Sequence, residues 1–178
     1  LHQFPFLVLG LHADNGSEYI NRTVAKLLEK LRAEFTKSRA CRSQDNALVE
    51  GKNGAVIRKL IGYGHIPGEH AAAVQKFYTR HLNPYLNFHR PCGFATVSLD
   101  ARGKRKRQYK AQDYQTPYEK LQSLPEAAQY LKPGQSFAQL DQVALQMSDT
   151  ASARKMTAAK AQLLRQCKIE SPVPPRFQ

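Results

Sequence analysis

The chain has 178 residues and 42% hydrophobic content, enough for a real core in one ordinary domain plus an appendage, and its 10 Gly and 10 Pro exclude a low-complexity chain. Lys and Arg number 27 against 14 Asp and Glu, a net charge of +13 that favours a polyanionic partner, nucleic acid first. Cys41, Cys92 and Cys167 are far apart and form no CxxC pair, which argues against a zinc ribbon or a disulfide framework and for a reducing compartment.

No apolar run approaches the roughly 20 residues of a membrane span. The opening Leu1-His2-Gln3-Phe4-Pro5 does not read as a signal peptide, and the missing initiator Met suggests a fragment or a processed chain. Leu7 to Ala13 is short and apolar, a buried strand running into a turn at Asp14-Asn15-Gly16. Residues 21 to 32 place Val24, Leu27, Leu28 and Leu31 on one face, an amphipathic helix with Asn21 as N-cap. Glu34 to Ala40 reads as a second strand. Ser43 caps a long helix running to about Leu60, with Asp45 in the first turn, where the helix dipole favours an acid; Gly62 and Gly64 end it. A further helix over residues 69 to 82 ends near Asn83-Pro84.

The composition shifts after Pro91. Phe94 to Leu99 is strand-like, and Asp100-Ala101-Arg102-Gly103 signals a turn. Lys104-Arg105-Lys106-Arg107 opens a basic segment that continues to Lys110, so the region predicts a hairpin with one basic arm. Thr116-Pro117 starts a helix or turn through Leu121. From about Phe137 the pattern is helical, with Met156, Ala159, Leu163 and Cys167 on one face and Ser152 as a cap. Ser171-Pro172-Val173-Pro174-Pro175 cannot be helical and predicts a loose tail.

Two acids stand out by position: Asp14 at the end of an apolar strand, and Glu50 in the second turn of the long helix. Strictly between them lie 35 residues. The stretch His12-Ala13-Asp14-Asn15-Gly16-Ser17-Glu18-Tyr19-Ile20-Asn21 resembles the second-aspartate motif of bacterial insertion-sequence transposases and retroviral-type integrases. Ser43-Gln44-Asp45-Asn46-Ala47-Leu48-Val49-Glu50-Gly51-Lys52-Asn53-Gly54 resembles their glutamate helix, and the gap matches their D-35-E spacing. Phe77-Tyr78 through Asn83-Pro84, with Asn87-Phe88-His89-Arg90-Pro91-Cys92, is similar to the helix and loop that close the core in many of these transposases. The likeness covers roughly residues 8 to 92 and weakens from Phe94 to Leu121. Each motif alone is an ordinary turn or a solvated helical acid; order, spacing and context together make the match.

The resemblance implies a DDE-type polynucleotidyl transferase that cleaves DNA and transfers strands with two Mg²⁺ (or Mn²⁺) ions. It implies that Asp14 ligates one metal, Glu50 the other, and a first Asp on an earlier strand bridges both. Only 13 residues precede Asp14 and none is acidic, so this chain is expected to lack that Asp and to be inactive alone. Nothing places Asp100 or Asp113 as a substitute.

Asn46 and Asn53 share the Glu50 helix face, either near the site or as a plain polar face. Lys52, Arg58 and Lys59 are candidates for phosphate contacts or solvated charges. His12 shares a strand side with Asp14 and either flanks the site or is structural. His81, His89 and Cys92 lack the spacing and fourth ligand of a zinc site. His65 and His70 read as ordinary residues. Arg102, Lys104, Arg105, Lys106, Arg107 and Lys110, with Tyr109, form the best DNA-backbone candidate outside the core, against a solvated charged arm.

The expected fold class is therefore α/β: a partial ribonuclease H-like fold lacking its first strands, with a C-terminal basic β-hairpin and a helical tail. The expected divisions are residues 1–92, 93–121 and 122–178. The expected partners are DNA and a second copy of the chain, with no membrane, in a bacterial cytoplasm. A non-catalytic basic DNA-binding remnant and an RNA-binding module are the alternatives. A truncated sheet would leave an edge and an apolar helix face uncovered, which predicts poor solubility or association.

Overall fold

A computed structural model describes residues 4–13, 22–38, 51 and 53–168, with only the backbone of Asn53. The described residues are mixed α/β, with three two-stranded sheets and no closed sheet. They fall into two compact units: residues 6–65 form the first, and residues 66–168 with Phe4 and Pro5 form the second. Among them, no helix is long and apolar enough to cross a membrane.

In the first unit, strand β1 (Gly10–Ala13) pairs in parallel with β2 (Glu34–Lys37), in the register Leu11↔Phe35 and Ala13↔Lys37. Parallel neighbours need a long crossover, and helix α1 (Arg22–Leu31) lies within it. Leu28 is the buried residue of α1, and Ala13, Ala33 and Ile61 are buried in the same unit. The anticipated strand is shorter than Leu7 to Ala13. Leu7, Val8 and Leu9 are exposed and precede the ladder, because two strands make too small a sheet to cover them. Leu27 and Leu31 of α1 are also exposed. Asn21, Ser43, Asp45 and most of the anticipated long helix lie outside the described residues. Its final part is α2 over residues 53–61: π turns across Asn53–Arg58, then α across Lys59–Ile61. Gly62 terminates it at φ 93°, a conformation that glycine adopts without strain.

The second unit is organised by α3, a helical run over residues 68–89. It begins as a 3-10 turn (Gly68–His70), becomes α over Ala71–Phe77, and widens into π turns at Tyr78–Leu82 and Tyr85–His89. The anticipated stop at Asn83-Pro84 is therefore a passage. Pro84 sits at φ −58°, which its ring fixes close to the helical value, and Asn83 at φ −63° is helical despite the clash a following proline imposes. Proline breaks an α-helix by its missing N–H and its contact with an earlier carbonyl. A π turn loosens that spacing, and burial of Leu82 and His89 on either side holds the run together.

Four short strands follow: β3 (Cys92–Gly93), β4 (Thr96–Leu99), β5 (Arg105–Gln108) and β6 (Tyr114–Gln115). Helix α4 (Pro117–Gln122) starts with a full capping box. Glu119 N–H donates to Thr116 Oγ1 at 3.2 Å, and Thr116 N–H donates to Glu119 Oε2 at 2.7 Å. Helix α5 (Phe137–Leu145) has a matching box at Ser136 and Gln139. Helix α6 (Asp149–Gln166) is capped by Ser148, whose Oγ accepts from Ala151 N–H at 3.3 Å. Ser152, anticipated as the cap, is instead buried within α6 on the same face as Met156; the cap falls one turn earlier, beside Asp149.

Tyr118 ties these helices together. Its ring lies 5.1 Å from that of Phe88 in α3. Its hydroxyl donates to Asp141 Oδ1 at 2.7 Å, and Gln122 Nε2 donates to the same oxygen at 2.9 Å. Burial, then the hydrogen bond and charge of Asp141, push the Tyr118 pKa up from its ordinary value of 10.0. The folded phenol thus keeps its proton where the unfolded one releases it, so stability falls as pH rises above about 10. Tyr118→Phe is expected to cost about 1–3 kcal/mol in urea unfolding at neutral pH and to remove this part of the alkaline loss.

Candidate functional site

The basic segment forms one arm of an antiparallel ribbon. β4 pairs with β5 in the register Val97↔Arg107, Ser98↔Lys106 and Leu99↔Arg105. Below it, β3 pairs with β6 through Cys92↔Gln115 and Gly93↔Tyr114, so the two short ladders nest into a stalk and foot. The turn explains the hairpin locally. Asp100 Oδ1 accepts from Arg102 N–H and Lys104 N–H, both at 2.9 Å, and Gly103 takes φ 73°. At the foot, Asp113 Oδ2 accepts from Lys110 N–H at 2.6 Å, while its Oδ1 accepts from Thr96 Oγ1 at 3.2 Å. Both candidate substitute acids, Asp100 and Asp113, are thus engaged in local hydrogen bonds of the ribbon.

Every residue from Thr96 to Lys110 is exposed. Opposed residues of an antiparallel pair share a face, so Arg105 and Arg107 stand with Val97 and Leu99, and Lys106 stands on the other face with Ser98. Arg102 and Lys104 occupy the tip. None of these five, nor Lys110, makes an ion pair among the described residues. Both faces and the tip therefore present cations to solvent, and the one carboxylate at the tip, Asp100, is engaged with backbone N–H groups. Tyr109 and Tyr114, both exposed, set their rings 6.3 Å apart at the foot. A Cβ on Gly93 would lie 2.9 Å from Tyr109 Cδ1, so glycine there admits the ring. Sequence reading found Tyr109 within the basic run but not Tyr114, which only the β3–β6 pairing brings alongside.

The residues anticipated for the metal centre fall differently. Asp14, Asn46, Glu50 and Lys52, and the side chain of Asn53, lie outside the described residues. What is described is their surroundings: β1 ends at Ala13, immediately before Asp14, and Gly51, immediately after Glu50, is helical. His12 pairs across the sheet with Thr36, its Nδ1 2.9 Å from Thr36 Oγ1. Arg58 is exposed and lies over the Tyr63 ring at 5.5 Å, and Lys59 is exposed. His89 Nδ1 lies 3.0 Å from Asp149 Oδ1, and His70 lies 3.4 Å from Glu69. Among the described residues no three His, Cys, Asp or Glu side chains are grouped to hold a metal ion.

A similar protein is the uncharacterized protein y4rM of Sinorhizobium fredii (strain NBRC 101917 / NGR234), 44% identical over 70 residues. The matched stretch is 39% of this chain and 20% of that protein, so the chain spans about a fifth of the relative's length. No family model and no solved structure matches the chain.

The hairpin geometry rests on Asp100. Asp100→Ala is expected to speed amide hydrogen exchange across residues 96–108 by about tenfold and to leave α6 amides unchanged. Equal acceleration in both would show that the ribbon does not open on its own.

Proposed function

We propose that this chain is part of a DDE-type transposase or integrase that cleaves DNA and joins strands, built on a ribonuclease H-like core. The observation that carries the reading is the placement of its two acids. Asp14 directly follows a strand in a parallel βαβ unit, Glu50 directly precedes a helical residue, and 35 residues separate them. A strand end and a neighbouring helix are where carboxylates from distant sequence can converge.

Two carboxylates are hard oxygen donors whose chemistry suits Mg²⁺ or Mn²⁺, so Asp14 and Glu50 would hold the metals in this reading. Bound there, such ions activate an attacking water or 3′-hydroxyl and stabilise the leaving oxygen. The protein's other work is to bind and align a polyanion. The ribbon's unpaired Arg105, Lys106 and Arg107, with Arg102 and Lys104 at the tip, suit phosphate contacts along the backbone. The basic run carries no visible base-reading code, so in this reading the ribbon positions the duplex and sequence specificity lies elsewhere. Arg58 and Lys59 offer further phosphate contacts.

Two measurements test the reading. With Fe²⁺ substituted for Mg²⁺, ascorbate and peroxide should cut the backbone near both residue 14 and residue 50, and Asp14→Asn should abolish both cuts. Cleavage near residue 50 that survives Asp14→Asn would separate the two acids and end the metal-pair reading. For the ribbon, duplex DNA binding should weaken steeply with salt, and each of Arg105→Ala, Lys106→Ala and Arg107→Ala should reduce the slope of log affinity against log salt by about 1. DNA binding without Fe²⁺ cleavage would leave a non-catalytic DNA-binding protein.

A further inference from the structure

A cavity of about 200 Å³ lies between α3 and α6, bordered by the end of α5. Phe88 and Met156 are among its apolar lining residues, and Arg80, His81, His89, Ser152 and Lys155 are among its polar ones. No carboxylate lines it. Arg80 and Lys155 are exposed, and neither makes an ion pair among the described residues. The one acid beside His89, Asp149, is engaged with His89 Nδ1 at 3.0 Å. Ser152 is buried on the cavity side of α6.

His81 borders the same cavity. Its Nδ1 is buried and has no hydrogen-bond partner, a state that costs about 1–3 kcal/mol and calls for a reason. Its ring stacks on Phe77, with centroids 6.3 Å apart. Burial, and then the charges of Lys155, Arg80 and Lys76, hold its pKa below the ordinary histidine value, so the imidazole is neutral at pH 7. In the tautomer protonated on Nε2 the buried Nδ1 is an acceptor, which an anion does not satisfy, and the ring has only Nε2–H to donate. A neutral donor flanked by two cations in one cavity suits an anion: a ligand of negative charge would offset the repulsion between Arg80 and Lys155 and accept hydrogen bonds from them.

We propose that this cavity binds a phosphate group, clamped between the Arg80 guanidinium and the Lys155 ammonium, with His81 and the Ser152 hydroxyl donating from the walls. Its oxygens match a planar guanidinium fork on one side and a point charge on the other. The group is either inorganic phosphate or a phosphate of a nucleic-acid backbone. The site lies wholly within the second unit and does not depend on Asp14 or Glu50.

The test is titration of the full chain with inorganic phosphate, followed by the His81 ring resonances. Phosphate should shift them and raise the His81 pKa, because a bound anion favours the imidazolium. Arg80→Ala and Lys155→Ala should each weaken phosphate binding about tenfold while leaving thermal unfolding unchanged, both side chains being exposed. Arg154→Ala, on α6 but outside the cavity, should bind as the parent does. Displacement of phosphate by a duplex oligonucleotide would identify backbone phosphate as the ligand, and retention would identify free phosphate. Unmoved His81 resonances in excess phosphate, or a loss in Arg154→Ala equal to that in Lys155→Ala, would overturn the proposal.

Discussion

In the second unit, the packing of α3 against α6 holds the other elements in place. Leu82 in α3 and Leu164 in α6 are 2% and 1% exposed, the most deeply buried large side chains among the described residues. Burial of that completeness stabilises by roughly 1.5–3 kcal/mol per side chain, enough to keep a helix going through a proline. From α3 the support passes outward. Phe88 meets the Tyr118 ring, Tyr118 bonds Asp141 in α5, and α4 follows directly from β6 at the foot of the ribbon. Lys120 then lies over Phe94 at 5.7 Å, fixing the foot from the other side. The exposed ribbon is therefore carried on a graded series of contacts that begins in a dry core.

Charge is distributed by the same architecture. Part of the positive surplus stands on the ribbon, whose Lys and Arg make no ion pair among the described residues, and part beside the α3–α6 cavity, where Arg80, Lys155 and Lys76 lower the pKa of His81. Such an arrangement costs stability in the free protein through like-charge repulsion and recovers it when a polyanion binds. In the proposed reading both places would meet phosphate, one as an open contact surface and one as a group-sized cavity.

How far the sequence could be read depends on whether the deciding interactions were local. The hairpin was legible because its turn is made by Asp100 and Gly103 within five residues. The capping of α4 was legible for the same reason, Thr116, Pro117 and Glu119 being neighbours. The course of α3 was not: Asn83-Pro84 is a strong local stop, and only burial against α6 overrides it. Ser152 was misread because capping competes with packing, and the choice between Ser148 and Ser152 is made by which face meets α3. Of the candidate site, the Asp14–Glu50 spacing is a pure sequence property and their geometry lies outside the described residues. The cavity was invisible in the sequence, since Arg80 and Lys155 are far apart in the chain and neither stands in any pattern with the other.

The ribbon itself has strands of four residues, with no third strand beside them among the described residues and all its side chains exposed. An isolated two-stranded ladder is marginal in water, so much of its rigidity must come from whatever lies along it. Its chemistry adds a corollary: a row of peptide bonds after lysine and arginine, at the tip of an open loop, is what trypsin-like proteases attack. Digestion kinetics at residues 102–107 would therefore report occupancy, with cutting fast in the bare protein and shielded when a ligand covers the arm.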